Sequence, residues 1–141
     1  YKIEDGEEPS GLAIDAATNR LFIGCGGNQT LVVMDATNGK NLAKFKIGDC
    51  DGTAFDPALK MAYSSNGEGT LSAIREVSPD KFEQLENVPT EPSARTIGVD
   101  LVTHKIYLPA AKTEAVAANA ANPRSRPRQI PGSFHVIEIG K

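Results

Sequence analysis

Three aspartates recur at one point of a repeated pattern: Asp15, Asp56 and Asp100, 41 and 44 residues apart, each closing a short apolar run. A carboxylate so placed can serve as a general acid or base, or can accept backbone N–H bonds from the turn that follows it. Each of these stands directly before a turn (DAATNR, DPALK, DLVTHK), and a residue duplicated once per repeat behaves as scaffold. A second acidic set stands in loops: Glu7, Glu8, Asp49, Asp51 and Glu91, with Arg95 close behind. If these loops converge, Glu8, Asp49, Asp51, Glu91 and Arg95 form a ligand-binding set. Its carboxylates would suit Ca²⁺, which takes about six to eight oxygen ligands. Solvated turns are rich in acidic residues for reasons of their own, so the same composition also fits loops that hold no ion. Cys25 and Cys50 fit either a disulfide formed in an oxidising compartment or two small buried thiols.

Other chemistries find no residues to carry them. HExxH, CxxC, GxSxG and a Gly-rich phosphate loop are all absent from the sequence. GCGGN, residues 24–28, is not followed by a helical pattern, so it does not read as a dinucleotide loop. His104 belongs to a turn and His135 to a strand, too far apart in the repeat to share a metal. The net charge of −3 and pI near 5.4 argue against nucleic acid or an anionic membrane as the main partner. Only 6% of residues are aromatic and none is Trp, which disfavours a base-stacking platform. No apolar run approaches the roughly 20 residues of a membrane-spanning helix.

The elements that must position these residues are repeated. GLAIDAATNRLFIGCGGNQTLVVMD (11–35) returns as GTAFDPALKMAYSSNGEGTLSAIRE (52–76), then as RTIGVDLVTHKIYLPAA (95–111) with GSFHVIEI (132–139). Each copy reads as a strand ending in Asp, a turn, a basic residue (Arg20, Lys60, Lys105), a second strand, a Gly/Asn-rich turn and a third strand. Asn38-Gly39 supplies a hairpin into a fourth strand in the first copy, and Ser78-Pro79-Asp80 does so in the second. A period of roughly 40–45 residues with four strands is that of a β-propeller blade. The expected fold is therefore all-β: a partial β-propeller of three four-stranded antiparallel blades, the last lacking its outer strand. The blade boundary is 1–9 and the blades are 10–48, 49–90 and 91–141, with a low-complexity insertion at 109–131. Roughly four to eight blades close a ring. Three predict the C-terminal portion of a larger ring, or a unit completed by further copies of the chain.

In such a topology the loops entering each inner strand share a face with the turns joining second to third strands. Glu7, Glu8, Asp49, Asp51 and Glu91 are thereby expected at one channel mouth, with Cys25, Gly26, Gly27, Asn28 and the insertion on the same side. In the insertion, KTEAVAANAAN reads equally as helix, with Thr113 as its cap, or coil. PRSRPRQIP reads as extended chain, with Arg124, Arg126 and Arg128 either folded over the acidic mouth or solvated.

GLAID, RLFIGCGGNQ, TLVVMDATNGK, FDPALKMAYSSNGEGTLSAI and the closing KIYLPAA…PGSFHVIEIGK resemble the YVTN β-propeller repeat (YncE-like) family, C-terminal portion. The YVTN tetrad itself is replaced by IGCG, YSSN and YLPA. The resemblance implies a larger, seven-bladed type of ring in a secreted or periplasmic bacterial protein with a binding or scaffold role. The expected partners are the N-terminal blades or further copies, and a protein or small-molecule ligand. The alternative is a metal-dependent hydrolase or lactonase-like propeller enzyme, using loop carboxylates at the channel mouth.

Overall fold

The structure, a computed structural model, describes residues 1–116 and 127–140. The first sheet is β1 (Pro9–Asp15), β2 (Arg20–Cys25), β3 (Thr30–Asp35) and β4 (Asn41–Lys46), antiparallel and in chain order. The second is β5 (Cys50–Asp56), β6 (Met61–Asn66), β7 (Thr70–Ser78) and β8 (Lys81–Gln84), with β9 (Val88–Pro89) carrying on along the β7 edge. The fourth strand expected after the Ser78-Pro79-Asp80 turn is thus present but interrupted at 85–87. The third sheet is β10 (Gly98–Val99), β11 (Ile106–Ala110) and β14 (His135–Ile139). Between β11 and β14, β12 (Thr113–Glu114) pairs with β13 (Arg128–Gln129) as a short antiparallel ribbon. Thr113 is a ribbon residue rather than a helix cap, because its partner is Gln129. Residues 117–122 of the alanine-rich stretch lie outside the described residues. The described residues contain no helix, and their three main sheets do not close a ring.

Period-two alternation decides which side chains meet between sheets. Phe22, Leu31 and Val33 face the second sheet, which returns Ala62 and Ile74 to the same cluster. Phe22 stacks on Phe55 at 5.0 Å and meets Phe82 edge-on at 6.1 Å. On the other face of the second sheet, Met61, Tyr63 and Leu71 pack with Ile106 and Leu108 of the third. Each fully buried large side chain contributes roughly 1.5–3 kcal/mol, so these two layers are the main apolar contribution to holding the sheets together. The inner strands β1 and β5 approach closely enough to require glycine. A Cβ on Gly11 would lie 2.3 Å from Thr53 Oγ1 and 2.7 Å from the Thr53 amide nitrogen.

The repeated aspartates close turns and also bridge sheets. Asp15 accepts from the Ala17 amide at 3.0 Å and the Thr18 hydroxyl at 2.9 Å. Asp56 accepts from the Ala58 and Leu59 amides, and Asp100 from the Val102 amide and Thr103 hydroxyl. Four residues after each Asp the chain turns left-handed: Asn19 has φ 56°, Lys60 φ 55° and His104 φ 61°. That backbone aims the side chain back at the preceding sheet. Lys60 Nζ lies 2.6 Å from Asp15 Oδ2, and His104 Nδ1 lies 2.7 Å from Asp56 Oδ2. Both carboxylates are essentially buried, at 1% and 0% exposure.

This register corrects the expected alignment of the basic residues. Arg20, Met61 and Lys105 are the equivalent residues after the turn, whereas Lys60 belongs with Asn19 and His104. Arg20 is turned inward rather than to solvent. It is buried beside Asp35 at 3.1 Å and donates through Nε to the Pro79 carbonyl at 2.6 Å, tying the first sheet to the second sheet's outer turn.

Removing one partner of a buried pair leaves an uncompensated charge, although Lys60 is itself partly open to solvent, which moderates the loss. Lys60→Met is therefore expected to lower unfolding stability by about 1–2 kcal/mol in urea titration. Lys44→Met, which removes the exposed pair with Asp5, is expected to leave the urea midpoint unchanged.

Candidate functional site

The mouth face is organised by backbone bonds between the loop entering each inner strand and a neighbouring turn. Gly26 and Gly27 amides donate to the Glu8 and Glu7 carbonyls, and the Gly67 amide donates to Asp49. The Ser93 amide in turn donates to the Gly67 carbonyl, hooking the third repeat's loop onto the second sheet. A Cβ on Gly67 would sit 2.5 Å from Asp51 Oδ2, so a larger residue there would displace that carboxylate. Glu8, Ser93 and Thr96 take positive φ in these loops. For β-branched Thr96 that is a costly backbone, held by its surroundings.

These loops wall an open cavity of about 790 Å³, lined from the first two sheets, the loop entering the third, and the ribbon. Glu8, Asp49, Asp51 and Arg95 all line it, and Arg95 Nε stands 3.5 Å from Asp51 Oδ2. Glu7 and Glu91 are not among the lining residues; the Glu91 carboxylate turns to His135 Nε2 at 3.1 Å. His135 Nδ1 meanwhile faces the Ser133 carbonyl at 2.9 Å. That carbonyl and the Glu91 carboxylate together raise the His135 pKa above the ordinary imidazole range.

Sequence reasoning missed Ser10, Ser93, Thr113 and Gln129 on the cavity wall. The repeated Glu-Pro-Ser (8–10 and 91–93) was the signal for the two serines. The ribbon residues carried none, because their placement depends on pairing across the insertion. Arg128 does not reach the acidic mouth: it pairs with Glu114, donating from Nε at 2.7 Å. Arg124 and Arg126 lie outside the described residues.

Among the described residues, no group of three or more His, Cys, Asp or Glu is arranged to hold a metal ion. Two of the acidic candidates already have cationic or imidazole neighbours, Asp51 in Arg95 and Glu91 in His135. Cys25 and Cys50 are free, buried thiols, so the disulfide entertained from sequence is not formed. Burial, and then the neighbouring Cys50, push the Cys25 thiol pKa up, which lowers its thiolate fraction and its reactivity.

A second polar cluster sits at the opposite ends of the strands. Glu76 is buried near the Asp15–Lys60 pair. Its burial, with further opposition from Asp15, raises its pKa. Burial also pushes Asp15 upward, but Lys60, the Thr18 hydroxyl and the Ala17 amide outweigh it, leaving Asp15 below the usual carboxylate range. The bond to Asp15 raises the Lys60 pKa.

No protein-family model matches the chain, and no curated protein matches it in sequence. Solved structures do match in shape. A chain of Kuenenia stuttgartiensis hydrazine synthase aligns with TM-score 0.67 at 16% identity, over 86% of this chain and 37% of that one. A chain of a mitotic checkpoint complex aligns with TM-score 0.63 at 16% identity, over 72% of this chain and 33% of that one. The chain thus spans about a third of the length of each. The likeness is one of fold, and the fold is β-propeller-like.

A raised carboxyl pKa means that the native state holds its proton where the unfolded chain has released it, so stability falls as pH rises through that window. Glu76→Gln removes this loss. The variant's melting temperature is expected to exceed that of the unaltered protein at neutral pH, with the gap closing below the ordinary Glu value of 4.5. Asp15 acts in the opposite sense, its contribution being lost as pH falls below 3.8. Melting curves from pH 3 to pH 8 test both signs.

Proposed function

We propose that this chain is a non-catalytic binding or scaffold module of a larger β-propeller, a secreted or periplasmic YVTN-type repeat protein, with the mouth cavity as its recognition surface. The cavity carries this reading. It draws loops from three sheets and offers both signs of charge, Asp51 and Asp49 against Arg95, in one open concavity. Such a surface, made of variable loops on a repeated scaffold, is where binding residues concentrate. Its two serine hydroxyls are engaged with carbonyls rather than with a base: Ser10 donates to Cys50 and Ser93 to Ala111. Its partners are further blades and a protein or small polar ligand. The match to a chain from a multi-protein checkpoint complex is consistent with a role in assembly.

The test is a thermal-shift screen of the unaltered chain and Arg95→Ala against short peptides and small polar metabolites, with mass spectrometry of every recovered ligand. A binder is expected to raise the melting temperature by several degrees, to lose that effect in Arg95→Ala and to be recovered unchanged. Added Ca²⁺ or EDTA is expected to shift neither melting curve. Consumption of a ligand, or stabilisation by Ca²⁺ reversed by EDTA, would overturn this reading in favour of a metal-dependent hydrolase or lactonase-like enzyme.

A further inference from the structure

The two joints between sheets follow one rule, and the third aspartate extends it. At each joint the Asp that ends an inner strand receives the left-handed turn residue of the next sheet: Lys60 on Asp15, His104 on Asp56. Asp100 has the same strand end and the same turn, and its carboxylate is held below the ordinary range first by the Thr103 hydroxyl and then by the Val102 amide. No side-chain cation from a following sheet meets it among the described residues.

The sheet face beside Asp100 is also open. Ile106 and Leu108 point into the second sheet, so alternation turns Tyr107 and Pro109, with their cross-strand partners Glu138 and Val136, to the other side. Val136 is 64% exposed there. At the far end of the stack the first sheet presents an apolar face. Leu12 is 65% exposed, and an apolar groove of about 360 Å³ runs over Leu12, Leu21, Ile23 and Met34. The left-handed residue on that face is Asn19, which carries no charge.

We propose that the open face of the third sheet docks one further four-stranded sheet of the same repeat, which presents a Lys, Arg or His at its left-handed turn position to Asp100. The rule of the two existing joints continues into this one, and charge complementarity selects the occupant. Both existing joints use a basic side chain against the carboxylate, and this chain's own free first sheet offers only an amide. The occupant is therefore a different repeat from the three present, and a second unaltered copy is a poor substitute for it.

Asn19→Lys converts the chain into a probe for this socket, since Lys60 shows that lysine accepts the same backbone in the second sheet. Self-association of the Asn19→Lys chain is measured by sedimentation velocity. It is expected to be at least tenfold tighter than that of the unaltered chain, to weaken with salt, and to be lost when Asp100→Asn is added. Asn at 100 retains a side-chain oxygen for the Val102 amide, so an unchanged melting temperature verifies that the double variant is folded. Association of Asn19→Lys no tighter than that of the unaltered chain, or undiminished by Asp100→Asn, would overturn the proposal.

Discussion

The contact on which the structure depends is the one between a buried aspartate and the left-handed residue of the next sheet. An aspartate at the end of an inner strand must satisfy its oxygens or forfeit several kcal/mol, by order of magnitude, in desolvation. Amides and hydroxyls of its own turn take part of that capacity, and Lys60 or His104 takes the rest. One residue type thus closes a local turn and fixes where the neighbouring sheet must sit. The apolar layers around Phe22 and Leu108 supply more free energy, but burial is not directional and tolerates sliding. The aspartate contact does not, so it sets the register of the stack.

That register has consequences at the other end of the strands. With β1 and β5 in close approach through Gly11 and Thr53, the loops entering them emerge side by side. The backbone bonds from Gly26, Gly27 and Gly67 then bring Glu8, Asp49 and Asp51 around one cavity. The mouth cavity and the aspartate contacts occupy opposite ends of the same strands. Loops at the mouth can therefore vary in sequence without disturbing what holds the sheets together, a division suited to a binding module on a repeated scaffold.

Much of this was legible in the sequence because repeated residues report repeated geometry. Apart from the break at 85–87, the strands of the first two sheets fall where alternation and the Asn38-Gly39 hairpin place them, and four of the five proposed ligand-binding residues line the cavity. The aspartates were readable as scaffold, but their partners were not. Arg20, Lys60 and Lys105 look equivalent by charge, whereas backbone conformation groups Lys60 with Asn19 and His104, and a positive φ at lysine or histidine leaves no compositional mark. Glu91 escaped because its partner, His135, is 44 residues away and enters only through pairing of β11 with β14. The ribbon of Thr113–Glu114 with Arg128–Gln129 was hidden for a related reason: alanine-rich and proline-rich halves suggest helix and extended chain locally, while the pairing is set from outside.

A double-mutant cycle on the second joint tests the central claim most directly. Asp56→Asn, His104→Gln and the double variant would be compared with the unaltered protein by urea unfolding. If the aspartate and the left-handed residue act as one unit, the single effects will not add, and the coupling will exceed about 0.5 kcal/mol, as for residues in direct contact. Additive losses would contradict the account, leaving apolar packing alone to hold the sheets in register.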